Sequence, residues 1–156
     1  MKPKFVYHGS SKKLVGDKLV PKQAKDVDGV ADNSHLGVYA SEFKDEAMAM
    51  GILNYKSVDG GEIRRFRKLD GAPGMDAIIY NGFPRQKYFY LYTLPSRTFA
   101  NVPKGSLQWV SKKTVIPVKI ERLSTKKYLY LIRRASPKER EEWNKNVNNK
   151  KNKLLF

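Results

Sequence analysis

Two histidines, His8 and His35, and no cysteine set the reactive inventory of this chain. Without thiols there is no disulfide, no thiolate nucleophile, no iron–sulfur cluster and no cysteine zinc site. Two histidines do not make a multi-histidine metal centre, so no metal is expected. The residues with both chemical capacity and a telling context are His8, Tyr39 and Gln108. His8 ends the strand-forming run KFVYH and is followed by Gly9 and Ser10, Tyr39 sits in GVYAS just before a helical stretch, and Gln108 opens LQWVS. An imidazole can exchange a proton, a phenol ring can stack on a flat ligand, and a carboxamide can accept a hydrogen bond. Ser10 and Ser11 neighbour His8, but sequence neighbours rarely form a nucleophile–base pair. There is no Walker lysine loop, no Gly-x-Ser-x-Gly, no His-Glu-x-x-His and no EF-hand spacing. Gly71-Ala72-Pro73-Gly74 reads as a turn and not as a phosphate cradle.

The charge is strongly positive, +16 from 31 basic and 15 acidic residues. It is also unevenly placed. Residues 1–60 hold 9 basic and 8 acidic residues, residues 61–120 hold 11 and 3, and residues 121–156 hold 11 and 4. The second and third stretches carry the field, and such a field favours a polyanionic partner: nucleic acid, an anionic membrane surface or an acidic protein. The plain alternative is solubility. Arg64, Arg65 and Arg67 are candidate phosphate contacts or part of a solvated basic loop, and Lys112 and Lys113 join them as nucleic-acid candidates. Tyr88, Tyr90 and Tyr92 alternate beside basic residues, as base-stacking platforms do, although such a row more often belongs to a core. No apolar run is long enough to span a membrane, and MKPKFVYHGS lacks the apolar core of a signal peptide. A reducing compartment such as the cytoplasm is the expected setting.

The elements that must position these residues follow from periodicity. With 156 residues and 40% hydrophobic content, one mainly β, α+β domain is expected. Strands are expected over Lys4–His8, Leu36–Ser41, Ala77–Tyr80, Lys87–Leu94, Leu107–Ser111, Val115–Leu123 and Lys127–Arg133, with a short extended piece at Lys18–Pro21. Asp26–Ser34 reads as a loop, and Asn81-Gly82 as a turn. Glu42–Asn54 reads as a helix with Phe43, Ala47, Met50 and Leu53 near one face. Ser136-Pro137-Lys138-Glu139 is a helix start with a cap, an N1 proline and a capping-box glutamate, and the helix is expected to reach about Val147 before a mobile tail.

Segment by segment, the chain resembles the ADP-ribosyltransferase superfamily, in its diphtheria-toxin and poly(ADP-ribose) polymerase branch. YHGS is similar to the first motif of that branch, GVYASEFKDEA to the second, and LQWVS to the third, with glutamine where the branch carries glutamate. The three segments span residues 5–111. The resemblance implies two packed antiparallel sheets with peripheral helices over residues 1–135, and a C-terminal helix and basic tail over 136–156. It implies NAD⁺ as substrate and transfer of a single ADP-ribose to a macromolecule; the basic second half would recruit that target, expected to be nucleic acid or a protein bound to it. His8 would hydrogen-bond a ribose hydroxyl, the Gly9 backbone would meet the nicotinamide amide, and Tyr39 would stack on the ring. Ser10 would lie toward the adenosine, and Met50 would take the place of a second ring-sandwiching aromatic.

Gln108 is the departure from the motif. At about 4 Å and an effective dielectric near 20, a carboxylate would stabilise the developing oxocarbenium by roughly 4 kcal/mol, or about a thousandfold in rate. Three readings follow. The transferase tolerates a neutral residue there; a carboxylate from Glu62, Asp76 or Glu121 serves; or the fold is catalytically silent and acts as a basic nucleic-acid-binding module. Chain-building polymerase activity is the least expected.

Overall fold

The computed structural model describes residues 1–23 and 36–155, so the expected loop at Asp26–Ser34, and His35, lie outside the described residues. The regular elements are β1 (Phe5–Ser10), β2 (Lys22–Gln23), β3 (Leu36–Ser41), α1 (Lys44–Leu53), β4 (Val58–Arg67), β5 (Pro73–Gly82), β6 (Tyr88–Pro95), β7 (Phe99–Asn101), β8 (Gln108–Ser111), β9 (Lys119–Ser124), β10 (Ile132–Arg134) and α2 (Pro137–Leu154). They form two sheets. The larger runs β7-β8-β3-β1-β6-β9 with β2 beside β3, and the smaller runs β10-β5-β4. The fold is mainly β, with one helix between the sheets and one at the C-terminus.

α1 explains how the two sheets become one body. Ala47, Met48 and Ile52 pack with Phe89 and Leu91 of the larger sheet, while Ala49 and Leu53 pack with Ala77 and Ile79 of the smaller. A helix buried on two sides cannot show a single apolar stripe. Met50, expected on the inner face, is therefore left 39% exposed. Small residues bring the helix against β1. A Cβ on Gly9 would lie 1.7 Å from the carbonyl oxygen of Ala47, and one on Gly51 would lie 3.1 Å from the Ser10 nitrogen.

The strand expectations hold where alternation matches a pleated surface and shift where another spacing wins. β1 runs past the Gly9-Ser10 turn signal because all six of its residues pair with β6. Ala77–Tyr80 is the buried centre of the longer β5, which pairs with β4 along most of its length. The basic stretch before it is thus a strand of a hairpin and not a loop, and Asn81-Gly82 closes β5. KYLYLIR is expected as a strand, yet residues 126–131 form a 3-10 helix and only Ile132 and Arg133 of it enter β10. Tyr128 and Leu131, three apart, both pack on the α1 cluster, which is the spacing at which 3-10 side chains stack. Val115 makes an isolated bridge with Leu19, and β9 starts only after Pro117, which has no N–H to give a ladder.

α2 begins as its sequence dictates. Ser136 accepts from the Glu139 N–H, and the Glu139 side chain accepts from the Ser136 N–H. Arg133 holds Glu139 and Asp76 together and keeps the Glu139 carboxyl well below the usual carboxylate range. Trp143 stacks on Tyr80 at 4.3 Å, and Asn81 donates to Asn144. The helix then continues to Leu154, past the expected stop at Val147. Residues 145–154 carry four lysines and no acidic residue.

Candidate functional site

Among the described residues β1 and β3 pair at one position. Their register there is Tyr7↔Ser41, whereas β1 stays paired with β6 from Phe5 to Ser10. Beyond Tyr7 the two strands part, and the β3-facing edge of β1 opens at His8, Gly9 and Ser10. On the far side β3 pairs with β8 in the register Tyr39↔Val110 and Ser41↔Gln108. Opposed residues of an antiparallel pair share a face, as do alternate residues along a strand. Tyr7, Ser41 and Gln108 therefore form one row, and Tyr39 lies on the same face as Gln108. They are diagonal cross-strand neighbours, a separation of about 7–8 Å.

His8 leaves β1 toward the other face. Its neighbour there is Tyr92, opposite in register with ring centroids 6.3 Å apart, which itself belongs to the cluster that includes Val6, Val38, Ala40 and Leu94. The ring still reaches across the split, because its Nδ1 lies 2.7 Å from the Tyr39 carbonyl oxygen. A carbonyl only accepts, so Nδ1 carries the proton, and neutral His8 presents Nε2 as an acceptor. His8 keeps some solvent exposure, but the surrounding protein removes enough water to lower its pKa. The Tyr39 carbonyl opposes that shift, and the charge of Lys22 adds to it.

Gly9 serves packing as well as any ligand, since its missing Cβ makes room for the α1 backbone. Ser10 Oγ donates to Lys12 O at 2.6 Å and closes the turn after β1. Met50 belongs to none of the core clusters. Gln108 Nε2 donates to Val102 O at 3.0 Å, and Asn101 Nδ2 donates to Gln108 O at 2.8 Å. The β7–β8 connection therefore holds this amide with its donor end toward Val102.

The carboxylates expected to stand in for glutamate are elsewhere. Glu62 on β4 accepts from Arg64 and Tyr80, and Asp76 on β5 accepts from Arg133. Glu121 lies opposite Leu91 on β9 and pairs with Lys119. Four strand spacings separate β9 from β8, roughly 19 Å. Glu42, which the sequence reading passed over, follows Ser41 directly. It accepts from the Trp109 indole at 3.1 Å, on the face opposite Gln108. A neutral indole partner gave no charge-pair pattern to read in sequence.

The nucleic-acid candidates divide. Arg65 donates twice to Glu46, whose exposure is 4%. Arg64 bonds Glu62 and Tyr80, and Glu62 raises its pKa. Burial, then Glu62, pushes the Tyr80 phenol up to about 12. Arg67 donates to Gly71 O within its own hairpin. Tyr92 is fully buried and accepts from the Leu14 N–H, so it is core, and Tyr90 packs against the same cluster. Tyr88 is covered by the Arg122 guanidinium at 4.4 Å. Lys112 and Lys113 are different. With Arg97, which sequence reading missed, they rim a pocket of about 460 Å³ whose other lining residues are Thr98, Ala100, Val102 and Val110. Among the described residues none of these three cations pairs with a carboxylate.

No cluster of three or more potential metal ligands occurs among the described residues, and no helix there is long and apolar enough to cross a membrane. Compared with known families, curated proteins and solved structures, the chain matches none.

Proposed function

We propose that this chain is a mono-ADP-ribosyltransferase-like protein that binds NAD⁺ in the split between β1 and β3 and transfers ADP-ribose to a macromolecular target, nucleic acid or a protein bound to it. The observation that carries the reading is the parting of β1 from β3 immediately after Tyr7↔Ser41, with the His8 ring bridging the gap to Tyr39. A strand edge with no ladder partner among the described residues offers backbone N–H and C=O groups to a flat amide such as nicotinamide. Tyr39 supplies the stacking ring, and His8 Nε2 accepts from a ribose hydroxyl. Gln108, on the Tyr39 face, orients the ribose or the incoming nucleophile through its amide. In the step itself, the bond from the ribose anomeric carbon to the nicotinamide nitrogen breaks and that carbon bonds the acceptor. Nicotinamide leaves neutral, and the acceptor loses a proton.

A second reading has its own support. The Gln108 amide is tied to Val102 O, and Glu62, Asp76 and Glu121 are committed to cations away from it. That pattern suits a transferase-like fold that is catalytically silent and works as a basic nucleic-acid-binding module.

Incubation with NAD⁺ labelled in the adenosine half, together with RNA, DNA or cell lysate, separates the two. Transfer of label and release of nicotinamide are expected from the wild type, with a loss of about tenfold or more in Tyr39→Ala and less in Tyr39→Phe, which keeps the ring. Wild type indistinguishable from Tyr39→Ala in both readouts rejects the enzyme.

A further inference from the structure

The hollow rimmed by Arg97, Lys112 and Lys113 sets exposed cations of this basic protein over an apolar floor. The β7–β8 ladder builds it. Ala100 pairs with Val110 and Phe99 with Ser111, so the residues just before β7 and just after β8 come to the same end. Thr98 Oγ1 and Ser111 Oγ, 2.7 Å apart, tie that end together. Arg97, Lys112 and Lys113 are exposed, and Val110 is buried beneath them. We propose that this hollow binds the end of a single-stranded nucleic acid, with a phosphate on the three cations and an unstacked base on Val110, Ala100 and Val102.

Its chemistry favours that occupant over other polyanions. Cations gathered at one rim suit phosphate oxygens, and an aliphatic floor suits the face of a base once the base leaves its stack. A duplex keeps its bases stacked and cannot use the floor. An acidic peptide has charges but no flat apolar group beside each one. The volume lies within the range of small-ligand sites. The location adds a further reason, because Val102 provides the carbonyl that holds Gln108, and Val110 stands opposite Tyr39 in register. A strand end seated there lies beside the proposed NAD⁺ site, in position to be the acceptor. As an acceptor-docking site the hollow rests on the transferase reading; as a binding site it stands alone.

The test is fluorescence anisotropy without NAD⁺, using a 3′-labelled short RNA, the matching single-stranded DNA, the duplex, and polyglutamate. Single strands are expected to bind more tightly than duplex or polyglutamate. The triple variant Arg97→Ala/Lys112→Ala/Lys113→Ala should weaken single-strand binding about tenfold or more. It should also reduce the salt slope by roughly 2, because about three cations no longer neutralise phosphate. Ala100→Phe removes no charge and fills the floor, so it should also weaken single strands and leave duplex binding alone. The charge-matched control Lys150→Ala/Lys151→Ala/Lys153→Ala on α2 should do less than the triple variant at the rim. Equal losses for the two triple variants, no effect of Ala100→Phe, or equal affinity for polyglutamate overturns the proposal. Nicotinamide release without acceptor reads the NAD⁺ site separately, so failure of one is distinguishable from failure of the other.

Discussion

The His8 imidazole and the Tyr39 backbone are joined by one 2.7 Å hydrogen bond that crosses the opening between two parted strands. It fixes the tautomer of His8 and holds β3 at a set distance from β1 where no ladder among the described residues does so.

That bond has a pH signature. The folded protein lowers the His8 pKa below 6.5, chiefly by desolvation. The unfolded chain therefore takes up a proton first as pH falls, and protonation favours unfolding. The His8 contribution is intact above about pH 6.5 and is lost as pH drops from there toward the folded-state value. Urea midpoints measured from about pH 7.5 down to about pH 5 should decline more steeply for wild type than for His8→Asn. The asparagine amide can still donate to Tyr39 O but does not titrate. Parallel declines would show that His8 is not the group responsible.

Gln108→Glu is the substitution that would restore the branch's usual residue, yet the surroundings are fitted to an amide. Glutamate would place a carboxylate oxygen where Nε2 now donates to Val102 O. Losing the donor and facing two oxygens should cost about 1–3 kcal/mol at neutral pH, where the side chain is ionised. Chemical denaturation of the variant beside wild type measures this. A variant as stable as wild type, with greatly increased NAD⁺ turnover, would mean that the side chain swings away from Val102 and resumes the carboxylate role.

Gly9→Ala should be among the most damaging small changes in the chain. The added Cβ meets backbone, the Ala47 carbonyl oxygen, and not a side chain that can turn aside. The expected loss is at least about 3 kcal/mol, or failure to fold, read from expression and thermal melting. A soluble variant with an unchanged midpoint would show that α1 can back away from β1 at little cost.

Arg65→Ala separates structure from recognition. It strips the cation from Glu46, which is buried between α1 and β4. A destabilisation of about 2 kcal/mol or more is expected by denaturation, with oligonucleotide affinity unchanged. A drop in affinity without a drop in stability would make Arg65 a phosphate-binding residue after all.

Much of this was legible because the signals are local. The Ser136–Glu139 capping box needs four consecutive residues, and the tyrosine alternation of β6 needs one strand. His8-Gly9-Ser10 and Tyr39 stand out through short motifs. What was hidden depends on distant partners. Arg97 in TLPSRTF is a lone cation, and only the β7–β8 pairing sets it beside Lys112 and Lys113. The arginines of β4 form a conspicuous basic run, but their acids come from α1 and from β4 itself. The strand expected over KYLYLIR gives way before Ile132 to the fit of Tyr128 and Leu131 against the α1 cluster. Met50 lies off the expected inner face because α1 packs on two sheets and so has no single apolar stripe.

α2 is pinned near its start, by Trp143 on Tyr80 and Asn144 on Asn81, and no side chain along it is buried. Its last ten residues extend some 15 Å at the helical rise, nearly twice the distance over which physiological salt damps a charge. The four lysines on that spar can sense a distant polyanion while the nearly neutral N-terminal stretch does not, so any approaching polyanion would be turned toward the basic side of the molecule before any pocket is reached.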